Sequence, residues 1–502
     1  MNVIDEILPR GVETGALPST RRMSDTVDVM KRNFLSMTGS LHFLMILLIS
    51  ACAGMTGGGL RAATYEVGPG MALGEPGEVP WEALQAGDVV RIHARKEPYR
   101  AKWVLCVRGE ADRPIRVQGV PDQQGALPVI EGNGAVTRAE LDFWGEERAV
   151  IKVGGANKPA DIVPAHVIIE NLHIRGARPP HTFTGRGGVR PYPRMAAAIY
   201  VENGGYITIR GCVMEDCGNG LMTSHRSREI LVEGCHIHGN GIENSISEHN
   251  SYTASHGIIF QYNRFGPLRA GCRGNNLKDR SAGLIVRCNW LEGGSRQLDL
   301  VDGSDHESIR QDPRYRVTEV HGNVLIEPEG DGNNQIVHYG GDSGNEEWYR
   351  GGTLRFHHNT IISRREGLTT LFRLSSAGES VECFRNVGHV GGRRARLQLL
   401  GAPGKLSVAH CWLPERCHLS PGVDAVGDRG LVGVRFGGDP GFINPRGQDF
   451  RPRADSPLTA FGPGDGAGKD GAPGNEYLPH QQGRERPEAA WVVPGAFAPA
   501  GR

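Results

Sequence analysis

The segment Val167-Ile-Ile-Glu-Asn-Leu172-His-Ile decides the fold, because its pattern recurs along the chain. Each copy has alternating β-branched residues, a polar pair, a turn position that is mostly Asn or Cys, and a further apolar residue. The turn position falls at Leu172, Cys212, Cys235, Asn263, Asn289, Asn323, Asn359 and Asn386. Alternation with a period of two is typical of strands, so each copy predicts a strand, a turn and a second strand.

The spacing of these copies predicts a solenoid. Successive turn positions lie 23 to 40 residues apart, which indicates a minimum coil length and insertions of variable size. One strand–turn–strand unit is too short to bury its own apolar face, so the units must stack on each other. An Asn at the turn can then hydrogen-bond to its copies above and below, which satisfies buried turn backbone. Cys212 and Cys235 are expected to fill the same position as small buried side chains.

The composition agrees with a chain of many turns and short strands. Gly accounts for 72 and Pro for 31 of the 502 residues, and both are poor residues for a helix interior. Sharp bends between strands explain the glycines, since such bends need a positive φ or a close backbone approach. Lys and Arg together number 56, as do Asp and Glu, so no net charge points to nucleic acid or to an anionic membrane.

The N-terminal part of the chain has the features of an export signal. The basic pair after Met30 is followed by an apolar run from Leu41 to Ile49, which is too short to span a membrane comfortably. We therefore interpret residues 30–52 as a signal peptide and residues 1–29 as an extension or a misassigned start. The protein is predicted to be exported, whether anchored to the outer membrane, periplasmic or secreted.

The cysteines divide into one candidate for lipidation and nine others. The stretch Ile49-Ser-Ala-Cys52 looks like a bacterial lipobox, which predicts a lipid anchor on Cys52 as the one membrane contact. Ordinary cleavage after Ala53 is the alternative. An exported compartment permits disulfides, and Cys411 and Cys417, which lie close in sequence, are the expected local pair.

The repeat resembles that of right-handed parallel β-helix proteins of the pectate-lyase type, over residues 64–462. The resemblance implies an all-β, single-stranded solenoid, which we expect to be a monomer. The segment from Pro80 to Ile92 is similar to the short capping helix and first strand of such proteins, and a cap would cover the open sheet edge. The segment Asp439-Pro-Gly-Phe-Ile-Asn is similar to their closing segments. The Gly/Pro-rich residues 463–502 are expected to form a loosely packed tail.

Enzymes with this fold act on polysaccharides laid across the parallel sheet, in a groove walled by inserted loops. The insertion between Leu172 and Cys212 is rich in basic and aromatic residues and has no acid from residue 178 to residue 194. Charge suits a sugar carboxylate and a flat ring suits a sugar face, so the loop predicts binding of an acidic polysaccharide. A solvated loop is the alternative. The predicted substrate-binding residues are Arg186, Arg190, Tyr192 and Arg194.

A second basic stretch, from Arg264 to Arg280, looks like the catalytic coil of the alginate lyase and chondroitinase B family. Lys278 and Arg280 differ by two, so in a strand they face the same way and each can lower the pKa of the other. Cleavage of uronate chains by β-elimination requires a neutralised carboxylate, a base for the C5 proton and a donor for the leaving oxygen. The resemblance implies Lys278 or Arg280 as the base. Val301 occupies the position of the second catalytic Arg, so Arg296 is the nearby candidate for that role.

The calcium ligands implied by the resemblance are altered in this chain. The two acids that bind calcium in that family fall on Arg273 and Asn275, which cannot both bind calcium as carboxylates. Either Arg273 replaces the metal at the substrate carboxylate, or calcium uses a different set of ligands. The candidate set is Asp299, Asp302 and Asp305.

Three further residues are candidates for the same groove. His256 opens a predicted strand and is a candidate acid or base, with an ordinary turn histidine as the alternative. His338 and Tyr339 lie before a Gly-rich stretch within the insertion that precedes Asn359. A His/Tyr pair above the groove would contact the substrate or protonate the leaving group.

Together these features predict an exported lyase that cleaves a uronate-containing polysaccharide by β-elimination. One alternative is an inverting glycoside hydrolase on the same fold, which needs two carboxyls about 6.5–9.5 Å apart. Asp299 and Asp302 are the best such pair, although a separation of three residues in a strand points them to opposite faces. The other alternative is a polysaccharide-binding or structural protein of the cell surface.

Overall fold

The computed structural model describes residues 62–330, 332–421, 423–424, 430–462 and 473–500. The predicted signal peptide, Cys52 and residues 1–29 lie outside the described residues, so export and lipidation stay predictions. No helix in the described part of the chain is long and apolar enough to cross a membrane.

The chain folds as a right-handed parallel β-helix whose strands stack in three sheets. Two long strands, Ala197–Arg210 and Asn219–Glu233, begin in sheet 3 and end in sheet 1. The other strands of sheet 1, which lead into the repeated turn, are Thr64–Val67, Val89–His93, Ile115–Val120, Ala165–Glu170, His256–Gln261, Ala282–Arg287, Val317–His321, Thr353–His357, Ser380–Phe384 and Lys405–Ala409.

Sheets 2 and 3 complete each coil. The strands of sheet 2, which follow the turn, are Val129–Glu131, His173–Arg175, Val213–Glu215, His236–Ile237, Arg264–Phe265, Trp290–Glu292, Val324–Glu327, Thr360–Ser363, Val387–Val390, Trp412–Leu413 and Arg435–Phe436. The other strands of sheet 3 are Ala101–Leu105, Ala149–Val153, Ser251–Thr253, Leu277–Asp279, Leu298–Leu300, Gln335–Tyr339, Leu368–Leu374, Arg396–Leu400 and Cys417–Ser420.

The remaining elements are short and lie at the ends of the solenoid or in its insertions. The further strands are Ala135–Thr137, Asp142–Phe143, Ala156–Lys158, Thr182–Gly185, Gly188–Pro191, Val423–Asp424, Phe442–Asn444, Asp449–Pro452, Asn475–Leu478 and Gln482–Glu485. One α-helix, Glu307–Gln311, is present among the described residues, together with the 3₁₀ turns Pro76–Glu78, Glu146–Arg148, Pro313–Arg316, Glu346–Trp348, Pro457–Ala460 and Glu488–Ala490.

The predicted turn positions from Cys235 to Asn386 form a continuous ladder inside the solenoid. The side-chain oxygen of Asn323 accepts hydrogen bonds from the backbone N–H of Asn289 (2.9 Å) and from its amide nitrogen Nδ2 (3.0 Å). Asn323 in turn donates to Asn359 at 3.0 Å, and Asn359 donates to Asn386 at 3.1 Å. Cys235, one of the predicted small residues, is buried at the start of the ladder. Its backbone N–H donates to the side-chain oxygen of Asn263 at 2.9 Å. The ladder therefore confirms the expected stacking of turns.

The residue before each ladder position adopts the left-handed conformation that such a tight corner requires. Gly211, Gly234 and Gly322 have φ values of 59°, 61° and 68°. The same corner is taken by Tyr262 at 57° and by Arg385 at 53°, where a side chain makes the conformation costly. Glycine thus occupies only some of the corners where its conformational freedom is useful.

The N-terminal cap differs from the expected helix. Residues 79–88 form turns, and the nearest helical element is the 3₁₀ turn Pro76–Glu78. Trp81 is buried, its ring stacks on Trp103 at 4.6 Å between centroids, and its indole N–H donates to the carbonyl of Pro76. Closely spaced Pro and Gly residues disfavour a helix here, and the stacked tryptophans cover the end of the core instead.

The C-terminal tail is packed rather than loose over residues 473–500. Tyr477, Val493 and Phe497 are buried in a second apolar cluster with Trp290 of sheet 2. The backbone N–H of Gly495 donates to the solenoid at 2.9 Å, and neighbouring residues make similar bonds. The expectation of loose packing was wrong because a few apolar side chains between the glycines and prolines cover the outward apolar face of sheet 2.

Cys411 also differs from its expected pairing with Cys417. Cys411 occupies the ladder position after Asn386, whose backbone N–H lies 3.3 Å from its sulfur. The sulfur of Cys383, on the preceding coil, lies 4.0 Å from that of Cys411. The coil spacing, rather than closeness in sequence, decides which cysteines approach each other.

Two adjacent buried histidines predict a loss of stability at acid pH. Burial lowers the pKa of His357 and of His358, assisted by Arg355 and His321 around the first and by Arg486 around the second. The unfolded chain therefore binds more protons than the folded protein below about pH 6.5. The free energy of unfolding decreases as the pH is lowered, by up to about 2 kcal/mol per histidine at about pH 5. Denaturant titrations at about pH 7.5 and about pH 5 test this.

The variant His357→Phe is the control for that prediction. The ring of His357 stacks on Phe384 at 4.6 Å, so phenylalanine keeps the packing and removes one titrating group. The variant should show a smaller difference in unfolding free energy between the two pH values. Equal stability of the unsubstituted protein at both pH values would contradict the prediction.

Candidate functional site

Sheet 3 presents a column of polar side chains on its outer face. Its register aligns Tyr252, Lys278, Asp299, His338 and Arg373 on successive coils. Side chains alternate along a strand, and adjacent strands lie about 4.8 Å apart, so these five groups are stacked side by side. Several of the residues that flank them in the strands point inward and are buried and apolar, including Leu277, Leu298, Leu300 and Val337.

Lys278 is the second residue of the column and is held as a cation. Its Nζ donates to Asp299 Oδ2 at 2.7 Å and to Asp342 Oδ2 at 2.5 Å. Burial lowers the pKa of Lys278 and Arg280 lowers it further, but Asp299 and Asp342 outweigh both, so the pKa lies above its ordinary value. Lys278 is therefore a proton donor in the unliganded protein.

Arg280 lies beside Lys278 and contacts the same acid. Its Nη2 lies 2.8 Å from Asp342 Oδ1, and Nη1 donates to the carbonyl of Asp302 at 2.7 Å. Its Nε donates to the hydroxyl of Tyr252 at 2.9 Å. Burial lowers the pKa of Arg280, but Tyr252, Asp342 and Asp305 raise it more. Arg280 lowers the pKa of Lys278 as expected, but the surrounding acids outweigh this effect, so the pKa of each cation lies above its ordinary value.

Asp342 bridges the two cations from a glycine-rich loop that sequence reasoning did not assign to the site. Its side chain is 32% exposed, whereas those of Lys278 and Arg280 are about 10% exposed. Burial raises the pKa of Asp342, but Lys278 and Arg280 outweigh it and hold the pKa below its ordinary range. Gly340 and Gly344 on either side have φ values of 130° and 83°, which favour glycine. A carboxylate on a loop thus covers a two-cation pocket.

Asp299 is buried among donors rather than arranged as a calcium ligand. Its carboxylate accepts from Lys278, from Asn275 Nδ2 at 2.7 Å and from His338 Nδ1 at 2.8 Å, and Arg296 lies at 3.6 Å. Burial raises its pKa, but Lys278 and His338 hold that pKa well below its ordinary range.

The other two predicted calcium ligands both lie near Arg280, at 3.4 Å for Asp302 and 3.8 Å for Asp305. Asp302 accepts from the backbone N–H of Asp342 at 2.8 Å, and Asp305 lies 3.4 Å from the Tyr252 hydroxyl. Across the described ranges, no group of three or more His, Cys, Asp or Glu side chains is arranged to hold a metal ion. Instead, Lys278 contacts Asp299, and Arg280 contacts Asp302 and Asp305, so calcium binding by the three aspartates stays a prediction.

His338 joins the column, whereas its neighbour Tyr339 does not. His338 is 6% exposed, and its Nε2 lies 2.9 Å from Ser375 Oγ on the next coil. Tyr339 is fully buried, and burial raises its pKa to about 12. The alternation along Gln335–Tyr339 turns Tyr339 into the core, so its predicted contact with substrate was wrong.

The basic insertion forms the hairpin Thr182–Gly185 and Gly188–Pro191, which pairs with the strand Ala135–Thr137. Tyr192 is 1% exposed and donates to the carbonyl of Gly132, so it is a core residue and not a sugar-binding surface. The three predicted arginines are exposed but paired with acids. Arg186 contacts Asp142, Arg190 lies 3.0 Å from Glu147, and Arg194 lies 3.4 Å from Glu248.

The remaining sequence candidates lie at different distances from the column. Arg296 contacts both Asp299 and Gln335, so it belongs to the cluster. Arg273 is exposed on the turn that leads into Leu277–Asp279. His256 opens a strand of sheet 1, where its ring contacts Asp312 at 2.9 Å and Ser308 at 3.3 Å.

Comparisons with known proteins indicate the same fold. The family model described as the right handed beta helix region matches residues 143–312. An alginate lyase from Paenibacillus sp. str. FPU-7 is 12% identical with a TM-score of 0.41, over 64% of this chain and 93% of that chain. No curated protein sequence matches this chain.

Two further solved structures show the same low level of similarity. The GH136 lacto-N-biosidase from Eubacterium ramulus is 12% identical with a TM-score of 0.40, over 72% of this chain and 70% of that chain. A mannuronic acid specific polysaccharide family 6 lyase from human gut microbiota is 10% identical with a TM-score of 0.33, over 75% of this chain and 91% of that chain. The chain is a right-handed parallel β-helix protein.

Proposed function

We propose that the protein binds a uronate-containing polysaccharide at the Lys278 column and cleaves it by β-elimination. The observation that carries this proposal is the contact of Lys278 and Arg280 with the two carboxylate oxygens of Asp342. Two adjacent cations that hold one partly exposed carboxylate are suited to a uronate carboxylate in the same place. Displacement of the Asp342 loop would open the pocket to the sugar chain.

The residues around the pocket supply the three functions that β-elimination requires. Arg280 neutralises the substrate carboxylate, which acidifies the C5 proton. His338, whose Nδ1 is held by Asp299, is the base in the proposed reaction. Lys278 donates a proton to the leaving oxygen, since its raised pKa keeps it charged. In this assignment Lys278 is the acid, whereas the sequence first suggested it as a base.

The positive charge of the protein replaces calcium in this proposal. Lys278 and Arg280 already provide two charges at the carboxylate. Arg373 is exposed at the end of the column, and Arg273 is exposed in the segment before Leu277–Asp279. These two arginines are proposed to bind the carboxylates of neighbouring sugars. We therefore expect the reaction to proceed in the presence of a calcium chelator.

An inverting hydrolase is less well supported by the same geometry. The ammonium of Lys278 contacts both Asp299 and Asp342, which places their carboxylates closer than the about 6.5–9.5 Å that inversion requires. Lys278 also holds the pKa of both acids below its ordinary value, so both are ionised and neither is suited to protonate a leaving oxygen.

The test is an assay for the unsaturated uronate product. Purified protein is incubated with alginate, pectate or glycosaminoglycans, with chelator or with added calcium, and the ultraviolet absorbance of the product is followed. The proposal predicts absorbance on at least one of these polymers in chelator. New reducing ends without that absorbance would contradict elimination in favour of hydrolysis, and binding without cleavage would contradict catalysis.

A further inference from the structure

We infer that Ser375, His338 and Asp299 form an acyl-transfer triad that hydrolyses an ester. The hydroxyl of Ser375 lies 2.9 Å from His338 Nε2, and His338 Nδ1 lies 2.8 Å from Asp299 Oδ1. A nucleophile within hydrogen-bond reach of a base, with the base oriented by a third group, is the arrangement that activates a serine. The triad goes beyond elimination, because a different bond is broken.

The surroundings of Asp299 favour the tautomer that a triad needs. Asp299 is buried and accepts hydrogen bonds from Lys278 and Asn275 on its other oxygen, so it is a fixed acceptor for His338. His338 therefore carries its proton on Nδ1 and directs the lone pair of Nε2 to Ser375. This assignment follows from the hydrogen-bond partners of the ring.

The solenoid positions these three residues on successive coils. Asp299 and His338 are paired in the register of sheet 3, and His338 is paired with Arg373 on the next strand. Ser375 follows Arg373 by two residues and so projects from the same face. Ser375 is partly exposed whereas His338 and Asp299 are buried, so an ester can approach the hydroxyl while its base stays shielded.

Gly341 completes the environment of the serine. Its backbone N–H donates to Ser375 Oγ at 2.8 Å, and its carbonyl lies 2.8 Å from the same oxygen. The N–H would stabilise negative charge on Oγ, while the carbonyl competes with His338 for the hydroxyl proton. Movement of the glycine-rich loop that also bears Asp342 would remove this competing acceptor and leave His338 as the partner.

The proposed reaction uses an ester and water. Ser375 Oγ forms a bond to the acyl carbon while its proton moves to His338 Nε2 and the carbonyl electron pair moves onto oxygen. Collapse of this intermediate breaks the bond to the alcohol, which takes the proton from His338. Water, deprotonated by His338, then attacks the acyl-serine, releases the carboxylic acid and restores Ser375. The substrate class, an O-acylated acidic polysaccharide, rests on the function proposed above, whereas the triad itself does not.

The triad is tested first with a fluorophosphonate probe and p-nitrophenyl acetate on the full-length protein. We expect the probe to label Ser375 and the protein to hydrolyse the small ester. Ser375→Ala and His338→Gln should abolish labelling and lower ester hydrolysis by about 10³-fold or more. Ser376→Ala is the matched control, because its hydroxyl bonds Glu379, and it should keep both properties.

In this first test, two outcomes would overturn the triad. One is the absence of labelling at Ser375 in unsubstituted protein that is shown to be folded by a cooperative thermal unfolding transition. The other is ester hydrolysis that persists in Ser375→Ala. If Ser375→Ala fails to fold, Ser375→Cys keeps the size of the side chain, and its thiol should be alkylated faster than in the variant that also carries His338→Gln. Equal alkylation rates would equally overturn the triad.

The two proposals fail separately. Release of acetate from an acetylated uronate polymer without unsaturated product would support the triad and contradict the elimination. Unsaturated product from protein that the probe does not label would contradict the triad alone.

Discussion

Replacement of Lys278 by alanine is expected to lower kcat/KM on a uronate polymer by about 10²–10⁴-fold, the range for loss of a positioned acid or base. The substitution removes the proposed proton donor and one of the two cations that bind the carboxylate. Initial rates of formation of unsaturated product over a range of polymer concentrations measure the effect. Lys278→Met is a companion variant, because an unbranched apolar side chain keeps most of the packing.

Lys405 provides the matched control for this prediction. It is an exposed lysine on the sheet 1 strand Lys405–Ala409, so Lys405→Ala changes the total charge equally and should leave kcat/KM unchanged. The fold should tolerate Lys278→Ala, since Asp299 keeps His338, Asn275 and Arg296 as partners. Full activity of folded Lys278→Ala would contradict the proposed role.

Asp342→Ala should change the kinetics in the opposite direction. Its carboxylate competes with the substrate for Lys278 and Arg280, so its removal should lower KM by about fivefold, which corresponds to about 1 kcal/mol for a partly exposed ion pair. A raised KM in this variant would indicate that Asp342 binds the sugar rather than occupying its place.

Asn323→Ala is expected to produce the largest loss of stability, about 3–5 kcal/mol or a failure to fold. The side chain of Asn323 accepts two hydrogen bonds from Asn289 and donates to Asn359 and to the carbonyls of Val286 and His321, all inside the solenoid. Removing it leaves several buried groups without partners, at about 1–3 kcal/mol each before relaxation. The midpoint and slope of denaturant unfolding measure the change.

Two variants test whether the ladder is the reason for that loss. Asn444→Ala removes an exposed asparagine whose side chain accepts from the backbone N–H of Gly447 in its own turn, and should cost less than about 1 kcal/mol. Asn323→Cys should lie between the two, because Cys411 fills the same position at the end of the ladder. Equal stabilities of Asn323→Ala and Asn444→Ala would contradict the prediction.

The β-helix could be predicted because its signal is local and repeated. The alternation of Ile207 and Ile209 identifies the buried face, and the recurring turn position identifies the ladder before any coordinates are known. The ends of the solenoid lack that repetition. Single contacts outside the sequence repeat determine the stacking of Trp81 on Trp103 and the burial of Tyr477 in the tail.

The candidate site could be predicted only in part, for the same reason. Lys278 and Arg280 are two residues apart, so strand geometry alone places them on one face. Asp342 lies 64 residues from Lys278 along the chain, and the length of the intervening insertions decides which coils become neighbours. Tyr192 and Tyr339 suited a sugar by residue type but are buried.

The sequence by itself therefore determined the strand period and the pairing of two cations on one face, because these depend on neighbours within a single coil. It also determined the ladder, because the same turn position recurs in coil after coil. The tertiary structure alone decided that Asp342 neutralises those cations and that His338 lies between Asp299 and Ser375. The physical reason is that the stacking of coils brings together side chains from different turns of the solenoid. The charge state of Lys278 is set by these neighbours across coils and not by those along the chain.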